Sequence, residues 1–464
     1  MESFDLIVVG AGPGGYVLAL DAARKGLSCA LIEERPTLGG TCLNVGCIPS
    51  KALLESSQLF HRLQNDGTHH GIEATELSIN LDAMMARKDE VVKRLTTGID
   101  ALMKKRQVEV IHGTGHLVEP GVVTVQSQQK RTLQAPKIVL ATGSLPVEIP
   151  ILPFDGKRIV DSTQALSFTK VPKRLAVVGG GAVGLELGSV WSRLGSQVTI
   201  LEALDRIVPS ADEDASKALS KSLQSQGITI RTGCRVLGSQ VHSRGVKLAL
   251  EEQEKKEELA VDCVLVAVGR IPNTASVLGT LDQQITMDGK KIAVNASMET
   301  SVPGIYAIGD LIHGPMLAHK AEEDALILSA HLSGETTPPW GGPLPAVVYT
   351  HPELAWVGST EHELQKQGRP FKVAQFPFAA NGRALAQGEH EGFVKLLSSP
   401  EDERLLGACI LGPGASELIA EVVSVMAFGG CAEDIAFTVH AHPTLSETLR
   451  EAALEQAGRP LHRG

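Results

Sequence analysis

Cys42 and Cys47 are the residues whose type and spacing most directly suggest chemistry. They lie five positions apart in a polar, glycine-rich segment, and helix-like sequence begins around Cys42. Because a helix N-terminus favours a thiolate, it lowers the pKa of a nearby thiol. The spacing suits a redox-active disulfide across one turn of irregular helix. Half of a metal site and two unrelated thiols are the alternatives, but we find no second ligand pair that would complete a zinc site and predict no metal.

The other five cysteines give no sign of a disulfide framework. The total of seven is odd, and the residues are scattered rather than densely spaced as in a small secreted domain. Three of them lie in apolar, strand-like runs, where a cysteine usually acts as a small hydrophobic residue. These three are Cys29, Cys263 and Cys409.

A pattern of buried strand, glycine-rich turn, helix and second strand ending in an acid occurs twice in the chain. Glu33 follows Gly10 by 23 positions, and Glu202 follows Gly179 by 23 positions. The two copies, each given as first strand, turn and second strand, are Phe4–Val9, Gly10–Gly15 and Ser28–Ile32, and Leu175–Val178, Gly179–Gly184 and Gln197–Leu201.

The glycines of each turn have separate predicted roles in binding a dinucleotide. The first permits the tight turn, the second lets a pyrophosphate approach the backbone, and the third lets the helix pack closely on the strand. The helix N-terminus offers N–H groups to the phosphates, and the acid accepts the ribose hydroxyls. In this order the glycines are Gly10, Gly12 and Gly15, then Gly179, Gly181 and Gly184.

The sequence therefore predicts two dinucleotide sites, and it predicts that the second prefers NAD to NADP. Glu202 would repel a 2′-phosphate, which favours NAD over NADP. Arg206, four residues after Glu202, leaves NADP as an alternative ligand. Each module also has an expected exit strand. These are Lys137–Leu140, followed by Ala141–Gly143, and Asp262–Val268, followed by Gly269 and Arg270.

The sequence resembles the FAD-dependent pyridine nucleotide–disulfide oxidoreductases over essentially its whole length. Each matching segment alone is moderate evidence, but together they stand in the family's order. The segments are Gly10–Gly15, Cys42–Lys51, Ala141–Gly143, Gly179–Gly184 with Glu186, Ala267–Asn273, Gly304–Asp310, Met316–Ala321 and His440–Glu447.

The resemblance implies that the first module binds FAD. Glu33 would contact the adenosine ribose and Gly115 the adenine. Lys51 and Ala318 would lie near the flavin ring, with Asp310 on the ribityl chain. The other implied FAD-binding residues are Gly10, Gly12, Gly15, Glu34, Gly40, Thr41, Cys42, Thr142, Gly143, Met316 and Leu317.

The resemblance also implies NAD in the second module, with Glu202 on its ribose. Lys51 and Glu186 are expected to form an ion pair beside the flavin. Cys42 would be the interchange thiol that meets the substrate, and Cys47 the charge-transfer thiol that faces the flavin. The other implied NAD-binding residues are Gly179, Gly181, Val183, Gly184, Glu186, Val236 and Gly269.

His442 and Glu447 match the family's base and its orienting acid. Thiol attack needs a base at neutral pH, and a carboxylate fixes the tautomer of a histidine and stabilises its imidazolium. An alternative role for Glu447 is a capping box with Thr444, opening a helix over 445–456. The resemblance places this segment against the disulfide of a partner subunit, which implies a homodimer with shared sites. The His442–Pro443 bond is a candidate cis peptide.

We predict an α/β fold with two Rossmann-like dinucleotide-binding domains and a C-terminal α/β interface domain. Residues 338–345, rich in proline and glycine, are expected to form a linker. The interface domain is expected to contain antiparallel strands around 346–349, 371–375, 392–398 and 405–411. The predicted domains are 1–145 for the first part of the FAD domain, 146–270 for the NAD domain, 271–340 for the return to the FAD domain and 346–464 for the interface domain.

Composition limits the classes of protein and its location. A length of 464 residues predicts two to four domains, and a formal charge of -10 disfavours binding to nucleic acid or acidic membranes. We find no apolar run long enough to span a bilayer. The first strand begins at Phe4, which leaves no room for a targeting peptide and predicts a cytoplasmic protein, although a processed precursor would look the same.

The activity that the resemblance implies is oxidation of protein-bound dihydrolipoyl groups with reduction of NAD, in 2-oxo acid dehydrogenase or glycine-cleavage complexes. A glutathione-type reductase would be expected to prefer NADP, and Glu202 argues against that preference. A mercuric reductase typically ends in a cysteine pair, whereas this chain ends Leu461–Gly464. A soluble transhydrogenase lacks the disulfide. A noncatalytic flavoprotein scaffold is the remaining alternative, but it would not need Cys42, Cys47, Lys51, His442 and Glu447 together.

Overall fold

The computed structural model describes residues 1–74, 76–335 and 342–462. These residues form two compact units, and both combine helices with β-sheets, which confirms the predicted α/β class. The first unit comprises the described residues of Met1–Leu53, Asn80–Val147 and Gly269–Trp340. The second comprises those of Leu54–Ile79, Glu148–Val268 and Gly341–Gly464. The predicted domain boundaries stay predictions.

The first unit is built on a five-stranded parallel sheet. Its central strand, Leu6–Val9, consists of aliphatic residues that are all buried, as expected for a parallel strand covered on both faces. Glycine follows this strand at once and the helix Pro13–Arg24 begins three residues later, with a proline at its first position. In spatial order the strands are Ile305–Ala307, Lys137–Leu140, Leu6–Val9, Cys29–Glu33 and Glu109–His112.

The second unit contains a parallel sheet with the same arrangement. The repeat in the sequence is therefore a repeat of structure, and the exit strands lie beside the central strands as predicted. The expected strand over 262–268 is shorter in the structure because its last residues form the turn at Gly269. In spatial order the strands are Ile159–Val160, Cys263–Val266, Arg174–Val178, Gln197–Leu201 and Thr229–Arg231.

The first unit also contains a second sheet, two strand pairs and several helices. Its second sheet consists of Glu2–Ser3, Arg131–Gln134, Val122–Gln126 and Thr114–Glu119. Two strand pairs are Ser144–Pro146 with Arg270–Pro272, and Met287–Asp288 with Lys291–Ile292. Its helices are Pro13–Arg24, Gly40–Val45, the first part of Cys47–Asn65, Leu81–Lys105 and Ala318–Leu332, with single 3₁₀ turns at Gly279–Leu281 and Gly309–Leu311.

The second unit carries an antiparallel sheet that contains all four predicted C-terminal strands and one more. The additional strand, Glu353–Gly358, follows the cis bond between His351 and Pro352, a pair of residues that reads as a turn in the sequence. It occupies an inner position of the sheet. In spatial order the strands are Ala346–Val348, Glu353–Gly358, Leu405–Gly412, Phe393–Ser398 and Lys372–Pro377.

The other elements of the second unit are a three-stranded sheet and the helices around both larger sheets. The strands are Cys234–His242, Gly245–Glu252 and Lys255–Val261. The helices are the end of Cys47–Asn65, then Ser162–Ala165, Ala182–Arg193, Glu213–Ser225, Glu361–Lys366, Gly382–Gln387, Ala415–Ala427, Ala432–Phe437 and Ser446–Gln456, with 3₁₀ turns at Gly67–His70 and Phe378–Ala380.

Three smaller predictions concern the linker, membrane spans and the remaining cysteines. Residues 338–341 of the predicted linker lie outside the described residues. Among the helices that the structure describes, none is both long and apolar enough to cross a membrane. Cys29, Cys263 and Cys409 are buried within strands, which confirms them as small hydrophobic residues, and burial raises the pKa of Cys29 to about 12.

The cysteine segment is held against the first glycine turn by direct backbone contact. Gly39 N donates a hydrogen bond of 2.8 Å to the carbonyl of Ala11. Gly40 has φ +55°, and a Cβ added there would lie 2.5 Å from the Cα of Gly12. Only glycine allows both this conformation and this approach. The contact fixes the start of the helix that carries Cys42.

We predict that Gly40→Ala lowers the free energy of unfolding of the first unit by about 2–5 kcal/mol, because it adds a steric overlap to a left-handed conformation. Gly289→Ala is the matched control, since Gly289 has φ +60° with nothing within 4 Å of an added Cβ. The control should lose only about 1–2 kcal/mol. Urea unfolding followed by circular dichroism measures both, and equal losses would contradict the importance of the Gly40–Gly12 contact.

Candidate active site

Cys42 and Cys47 lie on two consecutive helices that meet at a glycine. Cys42 is the third residue of the helix Gly40–Val45, and Cys47 is the first residue of the helix Cys47–Asn65. Gly46 separates the helices, and a Cβ there would lie 2.8 Å from the carbonyl oxygen of Thr41. The break at Gly46 therefore turns the chain so that the two thiols face each other. The Cys42 thiol hydrogen-bonds to the side chain of Cys47.

The two thiols are electrostatically unequal. The hydrogen bond to Cys47, burial and the charge of Cys47 all raise the pKa of Cys42, while Lys51 opposes the rise. Cys47 is more exposed and stands at the N-terminus of a helix of 19 residues, where a thiolate is favoured. Burial and the hydrogen bond to Cys47 thus disfavour the thiolate of Cys42, whereas the helix N-terminus favours the thiolate of Cys47.

Two residues near Cys42 were not singled out in the sequence. The negative charge of Glu322, on the helix Ala318–Leu332, raises the pKa of Cys42, and burial raises the pKa of Glu322 itself. Burial and the charges of Glu322 and Cys42 raise the pKa of Tyr16. Glu322 follows directly after the matching segment that ends at Ala321, which was the available signal. No local pattern in the sequence indicated Tyr16.

The first glycine turn and Glu33 form a cradle of the kind that binds a dinucleotide. Gly10 has φ +103°, and its added Cβ would lie 2.4 Å from the carbonyl oxygen of Ala141. At Gly15 the added Cβ would overlap the carbonyl oxygen of Gly10, at 1.8 Å. The buried carboxylate of Glu33 accepts hydrogen bonds from Ala11 N at 2.8 Å and Arg35 N at 2.9 Å. The acid is thereby fixed beside the turn.

Asp310 belongs to a chain of polar contacts that ends at Arg270. The hydroxyl of Ser144 donates to Asp310 Oδ2, and Arg270 Nε donates to that hydroxyl at 2.7 Å. Thr142 Oγ1 donates to the carbonyl of Asn273 at 2.6 Å, and Asn273 N donates to the carbonyl of Gly143 at 2.9 Å. These contacts bring the segments around 143 and 271 together with Asp310. Nothing in the local sequence indicated this role for Ser144.

The remaining candidates for the first dinucleotide lie in the same unit as this cradle. Gly115 packs on the sheet, where an added Cβ would lie 2.9 Å from Val9 Cγ1. Ala318 begins a helix of 15 residues, so that Met316 and Leu317 directly precede the helix N-terminus. Lys51 lies in the second turn of the helix that begins at Cys47. Three further positions are half-buried or exposed next to the cradle, namely Glu34, Thr41 and Gly143.

The second glycine turn reproduces the first almost contact for contact. Gly179 has φ +110°, and its added Cβ would lie 2.4 Å from the carbonyl oxygen of Ala267. A Cβ added at Gly184 would overlap the carbonyl oxygen of Gly179, at 2.1 Å. At Gly181, by contrast, nothing lies within 4 Å of an added Cβ. Glu202 accepts hydrogen bonds from Gly180 N at 2.7 Å and Leu204 N at 2.8 Å. The space at Gly181 is where a phosphate would approach.

Two other candidates for the second dinucleotide lie around this turn. Val183 is partly exposed on the first turn of the helix Ala182–Arg193. Val236 lies on the strand Cys234–His242, which begins where Cys234 N donates to the carbonyl of Glu202 at 2.9 Å. Arg206 Nη2 donates to the carbonyl of Pro209 at 3.1 Å.

Glu186 and Gly269 have different surroundings. Glu186 is buried, and its Oε1 accepts a hydrogen bond of 3.0 Å from Tyr349 N. Gly269 has φ +123° with open space around an added Cβ. The ion pair between Lys51 and Glu186 stays a prediction.

His442 and Glu447 form a hydrogen-bonded pair at the surface of the second unit. His442 Nδ1 lies 2.8 Å from Glu447 Oε1, and Thr444 N donates to Glu447 Oε2 at 2.9 Å. Burial opposes the charge of Glu447, but the hydrogen bonds from Thr444 and His442 outweigh it and lower the pKa of the acid. One oxygen thus orients the histidine while the other makes half of the predicted capping box. The Thr444 hydroxyl donates instead to Ala441 O at 2.7 Å.

The imidazole is open to solvent on its other side. The side chain of His442 is 81% exposed, which leaves Nε2 available to a thiol. Its bond to Pro443 is cis, as predicted. Three apolar side chains of the same region are also exposed, namely Phe428, Phe437 and Val439.

Comparison with known proteins identifies two family matches that together cover most of the chain. Residues 4–325 match the family described as pyridine nucleotide-disulphide oxidoreductase. Residues 344–453 match the dimerisation domain of the same family.

Individual relatives match the chain over nearly its full length. The chain is 46% identical to a protein named dihydrolipoyl dehydrogenase 3 from Pseudomonas putida, over 99% of each chain. It is 45% identical to a dihydrolipoamide dehydrogenase from Chaetomium thermophilum, over 99% of this chain and 92% of that protein. Among solved structures, the HOCl-induced flavoprotein disulfide reductase RclA from Escherichia coli has a TM-score of 0.86 and 28% identity, over 97% of this chain and 99% of that one.

We predict that Glu202→Ala weakens binding of NADH by about 10- to 100-fold, because it removes a charged acceptor from the cradle, and that it leaves binding of NADPH unchanged or tighter. Fluorescence titration with each nucleotide measures both dissociation constants. Glu258→Ala is the matched control, since it removes an exposed carboxylate of the same unit. Equal weakening of NADH and NADPH by Glu202→Ala would refute the role of Glu202 in selecting the nucleotide.

Proposed function

The chain belongs to the pyridine nucleotide-disulphide oxidoreductases, and within this family we propose that it oxidises protein-bound dihydrolipoyl groups and reduces NAD to NADH. The observation that carries the chemistry is the unequal pair of Cys42 and Cys47, docked on the first glycine turn. The names of the relatives from Pseudomonas putida and Chaetomium thermophilum support the dihydrolipoyl substrate.

FAD fits the first cradle and NAD the second. An added Cβ at Gly181 would meet nothing within 4 Å, and one at Gly12 would meet only the Cα of Gly40 at 4.0 Å, so both turns leave room for a phosphate. Glu33 and Glu202 would accept the ribose hydroxyls, while Asp310 and Ala318 would contact the flavin side of FAD. When bound, FAD would supply the two-electron redox chemistry between the Cys42–Cys47 pair and NAD.

The oxidation of the substrate is a pair of thiol–disulfide exchanges. His442 Nε2 removes a proton from one substrate thiol, and the thiolate attacks the sulfur of Cys42 in the oxidised pair. The bond between Cys42 and Cys47 breaks, and Cys47 leaves as a thiolate. His442 gives its proton to the departing Cys42 and takes the proton of the second substrate thiol, whose sulfur attacks the substrate sulfur joined to Cys42. The bond to Cys42 breaks, and the substrate leaves as a disulfide.

The asymmetry of the pair supports this order of events. Cys47 is the better leaving thiolate, since it stands at a helix N-terminus and receives the hydrogen bond of Cys42. Cys42 has the raised pKa and therefore recovers its proton readily from an imidazolium. Glu447 holds Nδ1 of His442 and stabilises that imidazolium, so that Nε2 is the atom that exchanges the proton.

The matched dimerisation domain supports a homodimer, and we extend this to shared active sites. His442 is exposed, and two apolar residues of the segment that leads to it, Phe428 and Val439, are 92% and 93% exposed. Large apolar side chains exposed to this degree are consistent with a protein interface. In the proposed dimer the His442–Glu447 pair of one protomer serves the cysteine pair of its partner. A lipoyl domain of a 2-oxo acid dehydrogenase or glycine-cleavage complex is the proposed substrate, and the cytoplasm the proposed location.

The substrate is tested by anaerobic turnover of the FAD-loaded protein with dihydrolipoamide and NAD. Glutathione disulfide and mercuric ion with NADH or NADPH are the competing reactions. We expect kcat/KM for dihydrolipoamide with NAD to exceed the others by a factor of about 100 or more, the scale on which a site built for one thiol substrate excludes another. Faster turnover of either competing acceptor would overturn the proposed substrate.

His442→Gln is expected to lower turnover of dihydrolipoamide by about 100-fold or more, because the general base is lost. Transfer from NADH to an artificial electron acceptor should persist, since it does not use the base. His462→Gln is the matched control, because His462 Nδ1 lies 2.9 Å from Glu451 in another exposed histidine–glutamate pair. Equal loss of both activities in His442→Gln would indicate a folding defect and contradict the assignment.

A further inference from the structure

Two oppositely charged side chains are buried together on the helix Ala318–Leu332 of the first unit. Lys320 is 3% exposed and Asp324 is 1% exposed. Lys320 Nζ lies 2.6 Å from Asp324 Oδ2, one helical turn away. Lysine and aspartate are almost never fully buried unless they are paired, and even then both lose their hydration. The burial of this pair therefore needs a physical explanation.

Both side chains bind the backbone of one glycine outside their own helix. Gly309 N donates a hydrogen bond of 2.8 Å to Asp324 Oδ2, and Lys320 Nζ donates one of 3.2 Å to the carbonyl of Gly309. Gly309 has φ +69° and begins the 3₁₀ turn that contains Asp310. We call Lys320 and Asp324 the Gly309 clamp. The clamp holds the peptide groups on both sides of Gly309, and the second of these joins Gly309 to Asp310.

The stability of the helix does not explain the clamp. Lys320 is the third residue of the helix, where the positive end of the helix dipole opposes a cation. Asp324 Oδ1 is buried without a hydrogen-bond partner among the described residues, and burial raises the pKa of Asp324 although Lys320 and the N–H of Gly309 oppose the rise. Apolar residues of similar volume often replace a buried ion pair without loss of stability. What the two charges add is their hold on Gly309.

The helix that carries the clamp also contacts the helix that follows the first glycine turn. A Cβ added at Gly14 would lie 3.1 Å from the carbonyl oxygen of Ala321, and one added at Gly309 would lie 3.1 Å from the Cβ of Ala321. Ala321 lies between the two clamp residues in the sequence and touches both glycines. The turn at Gly309 is thereby placed relative to the turn that would receive the phosphates of FAD.

We propose that Lys320 and Asp324 are positioning residues for FAD and that they act through Asp310. The clamp fixes the backbone of Asp310, while the hydroxyl of Ser144 donates to its carboxylate. An acid that is held in place before the cofactor arrives needs no further ordering when the cofactor binds. The proposal rests on the proposed contact between Asp310 and FAD, and it is independent of the thiol substrate.

The rate at which FAD leaves the full-length, FAD-loaded protein tests the clamp. Flavin fluorescence anisotropy is followed after strong dilution. Lys320→Met/Asp324→Ala removes both charges, so that neither stays buried and unpaired. We expect this variant to release FAD faster by about 10- to 100-fold, because only a fraction of the molecules then hold Asp310 ready for the cofactor.

Lys25→Met is the matched control. The side chain of Lys25 is 8% exposed and pairs at 3.0 Å with Asp21, four positions away on another helix of the first unit. This pair lies at the other end of the helix that begins after the first glycine turn. The control should release FAD at the rate of the wild type, and an equal acceleration in both variants would overturn the proposal.

Asp310→Ala separates a positioning role from a general loss of stability. If the clamp acts through Asp310, adding Lys320→Met/Asp324→Ala to Asp310→Ala should change the release rate by less than about twofold. Effects that multiply would overturn the proposal, as would an unchanged rate in Lys320→Met/Asp324→Ala. An unchanged rate in Asp310→Ala would remove the contact between Asp310 and FAD and the proposal with it, whereas turnover of dihydrolipoamide tests the proposed function separately.

Lys320→Met/Asp324→Asn is a milder variant in case the alanine variant does not fold. The amide oxygen of asparagine can still accept the N–H of Gly309, so FAD should leave this variant more slowly than the alanine variant. Isothermal titration calorimetry with NAD adds a readout of the second module, and its affinity should be that of the wild type in every variant. A parallel loss of NAD affinity, or no rescue by asparagine, would contradict the positioning role.

Discussion

The close approach of Gly40 to Gly12 is the contact on which the redox centre depends. It joins the segment that carries both cysteines to the turn that would bind a dinucleotide, and Gly39 adds a hydrogen bond to Ala11. There is no room for a side chain on Gly40, because its Cβ would lie 2.5 Å from the Cα of Gly12. The position of Cys42 follows from this docking, and the helix that begins at Cys47 follows from the break at Gly46. Two sulfurs thus meet at a place defined by glycines.

The two nucleotide modules show how one geometry serves two ligands. In each, a buried strand ends at a glycine with positive φ, and a glutamate from the neighbouring strand accepts a backbone N–H of the turn. The acid is fixed before any ligand arrives, so its orientation costs no further ordering. The modules differ in what is attached to them. The first carries the cysteine segment, whereas the second continues into the three-stranded sheet that begins at Cys234.

Glu447 shows why a structural and a chemical role need not compete. A carboxylate has two oxygens, and here one accepts from the backbone of Thr444 while the other accepts from His442. The backbone contact holds the acid at the start of the helix Ser446–Gln456, and that position orients the imidazole. From sequence alone the capping box and the orienting acid were alternatives, because the pattern of residues does not reveal how the two oxygens are divided.

Local physics explains what the sequence determined by itself. Runs of buried aliphatic residues before glycine predicted both parallel sheets, since strand, turn and acid at equal spacing leave few other folds. The same spacing located Glu33 and Glu202, whereas the redox pair was indicated by the separation of Cys42 and Cys47 in a glycine-rich segment. The strand Glu353–Gly358 was not predicted, because its apolar run is short and follows a proline. Contacts between distant segments were decided only by tertiary structure, such as Ser144 with Asp310, Glu322 near Cys42 and Lys320 with Gly309. Burial and charge at such places depend on neighbours that are remote in the chain, and no spacing rule encodes them.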